Sequence, residues 1–237
     1  MGKMFGHDYD NAGNQISRTT ANADKSWIYS WDYENRLIKS EQTKGTEKRT
    51  TTFNYDPFGR RIEKQLTTII KGVTKTTTWT YVYDGDNIAL EIFTKTDATT
   101  EKTWYTQGMG VDEHLALERN GQNYYYHADH LGSITAITDN SRNVVQTYSY
   151  DSFGVPRQTT SFRNSYQFTG REWDKETGLY YYRARYYDPM EGRFIQKDPI
   201  GFAGGDVNVY RYALGNPLRY IDPFGLDVRI VIGNRTY

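Results

Sequence analysis

The chain has 237 residues, enough for one large or two ordinary domains, with no cysteine and 29 basic against 29 acidic residues. Disulfides, thiol nucleophiles and Cys-based metal sites are therefore excluded, and no overall basic field recommends nucleic acid as a partner. No run of about 18 apolar residues suggests a membrane span, and the N-terminus carries no apolar signal core. Export, if it occurs, is then expected to depend on other machinery or on a preceding segment. The distinctive feature is aromatic: 22 Tyr, 10 Phe and 5 Trp, or 16%. Tyr and Trp suit half-buried pleated surfaces, where the ring packs and the polar tip stays wet. Together with abundant Thr, this predicts β-structure layered with rings.

From the N-terminus onward an aromatic-Asp pair recurs, at Tyr9-Asp10, Trp31-Asp32, Tyr55-Asp56 and Tyr83-Asp84, then at Tyr150-Asp151 and Tyr187-Asp188. The first four are spaced by 22, 24 and 28 residues. Several are followed by Gly three residues after Asp, as in Asp56-Pro57-Phe58-Gly59; Asn35, the next-best residue for positive φ, takes that place after Asp32. Each unit reads as strand, Asp-x-x-Gly turn, strand. Between the turns Thr50–Tyr55 and Thr76–Tyr83 alternate at period two, and Arg60–Ile70 and Asn87–Thr94 read as return strands, for about 15–20 strands in all. Lys39–Thr50, Asp97–Lys102 and Gln158–Ser165 are polar and read as loops or strand ends, and Val111–Arg119 is the best helix candidate. Near Tyr166 the composition shifts toward Gly, Arg and Tyr.

The C-terminal part holds Asp198-Pro199-Ile200-Gly201 and, 24 residues later, Asp222-Pro223-Phe224-Gly225, followed by Leu226 and eleven further residues. Asp-Pro-x-Gly is a good β-turn: Pro presets φ at the second position and Gly closes the fourth. The copy at Asp56 shows that the motif by itself carries almost no catalytic information. His127, Asp129 and His130 have a spacing that suits a turn as well as a metal, and no partner ligands are evident. Gly201–Gly205 lacks the Lys-Ser/Thr of a phosphate loop. No cofactor or metal is expected, and acidic neighbours of the basic run Arg183–Tyr187 argue against nucleic acid.

The repeats resemble the YD (RHS) repeat. The segment His127-Ala128-Asp129-His130-Leu131-Gly132-Ser133 is similar to that family's H-x-D-H-L-G-S stretch. Gln167–Glu172, Glu176–Pro189, Gly192–Ile195 and Asp198–Gly201 resemble the RHS repeat-associated core domain. The resemblance covers residues 1–226 and is most specific from about 124 onward. It implies an all-β fold, a long antiparallel sheet of YD hairpins curling into a hollow shell, here a partial one, with its end closed by the core domain. It also implies a division into a YD-repeat wall (1–165), the core (166–226) and the start of a variable toxin segment (227–237). The partners so implied are the chain's own C-terminal toxin segment and a secretion-system spike or adaptor, in type VI-type interbacterial competition at the cell surface or outside the cell. A tail of eleven residues is too short for an enzyme, so toxicity of this chain itself is not expected. The open edges of a partial sheet make self-association an expectation too.

In many members of that family the core cleaves itself after a Leu. The resemblance therefore implies Asp198 and Asp222 as a catalytic pair acting on the Leu226–Asp227 bond. Two carboxylates at close range share one proton, so one could activate water while the other polarises the carbonyl. Arg193, Arg211 and Arg219 are candidates to steady a carboxylate, with surface pairing their commoner role. The alternative reading is a YD-repeat binding module for carbohydrate or protein that cuts nothing.

Overall fold

A computed structural model describes residues 5–22, 24–232 and 235–236. Fourteen strands, from Phe5–Tyr9 to Pro156–Gln158, form one antiparallel meander in which each strand pairs with the next in sequence. Among the described residues helix is limited to three short 3-10 turns.

Five of the hairpin turns share one device. At Asp32, Asp56, Asp129, Asp139 and Asp151, carboxylate Oδ1 accepts the backbone N–H groups two and four residues on, at 2.8–3.0 Å. The side chain thus stands in for a missing backbone acceptor, and a left-handed residue three positions after Asp (Asn35, φ 60°; Gly59, φ 79°) reverses the chain. At Asp32 and Asp56 the Arg after that residue returns its Nε to Asp Oδ2 at 2.7 Å. Two sequence expectations are corrected. Val111–Arg119 is a tight loop leading into the strand His114–Arg119, because that segment pairs with Thr100–Gln107 and Gln122–Ala128 on either side. The polar stretch Lys39–Thr50 is mostly strand, Leu37–Lys44 and Glu47–Tyr55 around a turn, where Thr and charged residues pair across strands.

After the meander, Glu172–Asp174, Leu179–Tyr182, Arg185–Asp188 and Arg193–Phe194 form a small inner sheet. Its tyrosines 180, 181, 182, 186 and 187 are buried. Tyr181 and Tyr186 pack with Trp27, Tyr29, Leu37 and Phe53 of the wall. Tyr180, Tyr182 and Tyr187 pack with Phe168, Phe194 and Tyr212.

The curl of the wall follows from two neighbouring residues. Asp188 pairs with Arg18 of the second wall strand, Gln15–Thr20. Tyr187 Oη donates to the Phe153 carbonyl at 2.8 Å, in the turn after the thirteenth strand, Val144–Tyr150. Eleven strand steps at about 4.8 Å would separate those strands by roughly 50 Å in a flat sheet. The sheet therefore wraps around the inner one. Buried ion pairs bind the two together: Arg61 to Glu172 (2.6 Å) and Asp174 (2.5 Å), and Lys64 to Asp174 (2.8 Å) and Glu176 (2.6 Å).

Candidate functional site

Both aspartates singled out in the sequence meet at one side chain. Arg185, on the inner sheet, places Nη2 at 3.0 Å from Asp198 Oδ2 and at 3.0 Å from Asp222 Oδ2. All three side chains are at most 7% exposed. Arg193, Arg211 and Arg219 sit elsewhere: Arg193 lies over the Tyr9 and Tyr210 rings, Arg211 faces Asp206 at 3.5 Å, and Arg219 lies over Tyr220. Arg185 lies within the segment Glu176–Pro189 that resembles the core domain, yet nothing in its spacing marks it as the residue joining the pair.

The turn at Asp222 departs from the common pattern. Its Oδ1 accepts the amide of Leu226 at 2.9 Å and the amide of Asp227 at 3.2 Å, four and five residues on. The second of these is the nitrogen of the Leu226–Asp227 peptide bond. Burial pushes the Asp222 carboxyl up to about 6, with Arg185 pulling the other way. Asp198 is also raised by burial, against the same arginine. Asp56, in the identical Asp-Pro-Phe-Gly sequence, goes the other way. Slight burial raises it, but the bonds from Arg60 and from the Phe58 and Arg60 amides bring it below the usual range.

The carbonyl oxygen of the same bond and the Asp198 carboxylate both lie beside Gly204. A Cβ at Gly204 would stand 2.7 Å from Asp198 Oδ2 and 2.7 Å from the Leu226 carbonyl oxygen, so carboxylate and carbonyl crowd one small space that only a glycine leaves open. Among the described residues the Leu226 oxygen accepts no hydrogen bond. The three preceding carbonyls are held in register by consecutive residues at the hairpin between the inner strands Leu179–Tyr182 and Arg185–Asp188. Arg183 bonds Pro223 O, the Ala184 amide bonds Phe224 O (3.2 Å), and Arg185 Nε bonds Gly225 O (2.5 Å). Gly225 is pressed so closely on this hairpin that a Cβ would stand 2.4 Å from Tyr182 O. Beyond the junction Arg229–Ile232 pairs with Tyr220–Ile221. A cavity of about 540 Å³ between wall and inner sheet is lined by Asp198, Leu226, Arg183 and His114. No group of three or more potential metal ligands occurs among the described residues. His127 is instead hydrogen-bonded to Thr138, and Asp129 is the acceptor of an ordinary turn.

The Teneurin YD-shell family model matches residues 109–218. The tRNA3(Ser)-specific nuclease WapA of Bacillus spizizenii is 37% identical over 232 residues, covering 94% of this chain and 9% of that protein. Double-stranded DNA deaminase toxin A of Burkholderia cenocepacia is 30% identical over 249 residues, covering 95% of this chain and 17% of that protein. The chain thus spans a small part of these relatives' length. Among solved structures, TcdB2-TccC3 without its hypervariable C-terminal region matches with a TM-score of 0.70 at 20% identity, over 94% of this chain and 13% of that one. The Photorhabdus luminescens Tc holotoxin pore matches with a TM-score of 0.70 at 20% identity, over 98% of this chain and 13% of that one.

Proposed function

Because the chain is an RHS/YD-repeat protein, we propose that it is the closing part of a shell around a C-terminal toxin segment, and that it releases that segment by cutting its own Leu226–Asp227 bond. Relatives that share this stretch bear names as different as a tRNA nuclease, a DNA deaminase toxin and a probable deoxyribonuclease. A part common to proteins of different named activities is the carrier, and the activity resides elsewhere in each chain. For this chain, residues 227–237 are then the start of the cargo, 166–226 the closing core and 1–165 the wall. Export to the cell surface or beyond goes with that role.

The observation that carries the cleavage reading is the bracketing of one peptide bond. Asp222 Oδ1 is at its nitrogen, and Asp198 Oδ2 shares the space beside Gly204 with its carbonyl oxygen. Arg185 joins the two carboxyls, and burial raises both, Asp222 to about 6, so that near this pH one can be protonated beside an ionised partner. Water adds to the Leu226 carbonyl carbon, forming the C–O bond while the π pair moves to the carbonyl oxygen. The ionised carboxylate takes the water's proton, and the protonated one hydrogen-bonds the developing oxyanion. When the tetrahedral intermediate collapses, the C–N pair leaves with the nitrogen and takes a proton from the pair. A Leu226 carboxylate and an Asp227 amine result. The bond is prealigned by the turn, so proximity does much of the work, and the reaction turns over once per chain.

The test is the denatured mass of three chains. Wild type is expected to lose residues 227–237, while Asp198→Asn and Asp222→Asn remain full length. If the two variants cut at the wild-type rate, the assignment of the pair fails.

A further inference from the structure

Asp112 belongs to the wall, in the loop entering the strand His114–Arg119, yet it reaches into the inner sheet. Its residue is 8% exposed and its backbone is left-handed, φ 56°, a strained setting for a non-glycine residue. Oδ1 accepts Arg171 Nη1 at 2.6 Å and Arg183 Nη2 at 2.8 Å, while Oδ2 accepts Arg183 Nη1 at 3.2 Å. The same Arg183 Nη1 donates to the Pro223 carbonyl, one residue past Asp222. Arg183 also stacks on the Phe224 ring at 4.8 Å. A bidentate carboxylate fixes the plane of a guanidinium, which leaves the third contact no freedom to wander. Without Asp112, Arg183 would be free to turn into the adjoining cavity, which it lines. The Asp222 turn would lose the first of the three carbonyl contacts that hold it in register.

The geometry points to Asp112 as a positioning residue for the cut: through Arg183 this wall carboxylate sets the turn that carries Asp222 and the scissile bond, so cleavage waits on docking of the wall loop onto the inner sheet. The inference rests on the cleavage reading above and adds to it a dependence on the wall. Burial raises this carboxyl, but the Arg171 and Arg183 guanidiniums outweigh it and hold it below its usual range.

Two readouts test it on the full chain. In refolding followed by denaturing mass analysis, Asp112→Asn and Arg183→Gln are each expected to slow the cut roughly ten- to hundredfold. The double variant should be no slower than the slower single one, because both act through one contact. In the Asp198→Asn background, which stays uncut, Asp112→Asn should speed hydrogen exchange at the Leu226 and Asp227 amides about tenfold while the strand Leu179–Tyr182 stays protected. If wild type cuts and both single variants cut at its rate with exchange unchanged, this inference is wrong and the cleavage reading stands. If the losses are additive, or if exchange rises equally in Leu179–Tyr182, the role is general stability and the inference is also wrong. A wild-type chain that never cuts removes the cleavage reading, and the positioning role with it.

Discussion

Asp222 Oδ1 lies 3.2 Å from the backbone nitrogen of Asp227, a contact made possible by a turn that runs one residue further than its copies in the wall. At Asp56 the same four residues, Asp-Pro-Phe-Gly, clasp the amides two and four positions on and point Phe58 into solvent at 84% exposure. At Asp222 the clasp reaches positions four and five, and Phe224 lies under Arg183 and Arg229. One sequence motif therefore serves as plain turn or candidate site according to what it packs against.

Gly204→Ala places a methyl group between Asp198 and the Leu226 carbonyl, where 2.7 Å on either side leaves no room. The backbone there is not left-handed and its neighbours Phe202 and Ala203 are exposed, so the fold should tolerate the change. The cut is expected to slow roughly a hundredfold with the melting temperature shifted by only a few degrees. Quenched refolding and thermal denaturation of the same sample measure both.

The rate of cutting should depend on pH through Asp222, whose carboxyl burial raises to about 6. If its protonated form is the one that cuts, the rate falls about tenfold per pH unit above that point. It falls again at low pH as the second carboxyl is protonated. Arg185 opposes the burial that raises both carboxyls, so Arg185→Met should move the alkaline limb to higher pH while lowering the maximum. An unmoved limb would mean that the observed ionisation belongs to another group.

Local features of this fold are legible in the sequence, and long-range ones are not. The Asp-x-x-Gly turns were readable because their geometry is local: the carboxylate bonds amides within four residues of itself. The tyrosines announced a ring-layered β-structure for the same kind of reason. The strand His114–Arg119 carries a weak helical pattern that its pairing with neighbouring strands overrides. In Lys39–Thr50, too, cross-strand pairing overrides a polar composition that reads locally as loop or strand end. Arg185, Gly204 and Asp112 act through contacts across 37 residues or through the close approach of separate loops, and no spacing in the sequence records such contacts.

Asp174 should matter to the fold more than to the cut. It is buried between Arg61 and Lys64, which hold it below the usual carboxylate range against the effect of burial. A carboxyl with a depressed folded value stabilises at pH above its unfolded value near 3.9, and that stabilisation is lost as pH falls through the folded one. Asp174→Asn leaves two buried cations short of a partner and is expected to cost about 3–5 kcal/mol at pH 7, read as a lower urea midpoint. A wild-type midpoint would show that wall and inner sheet do not depend on this pairing.

If the chain hydrolyses its own Leu226–Asp227 bond, water supplies the new oxygen at Leu226. The most direct measurement is refolding in ¹⁸O-water, followed by denaturation and mass analysis of both products at several protein concentrations. Self-cleavage yields a large product ending at Leu226 with one ¹⁸O in its new carboxylate, a peptide beginning at Asp227, and a rate independent of concentration. An intact chain, a cut at another bond, or a rate that rises with concentration would contradict it.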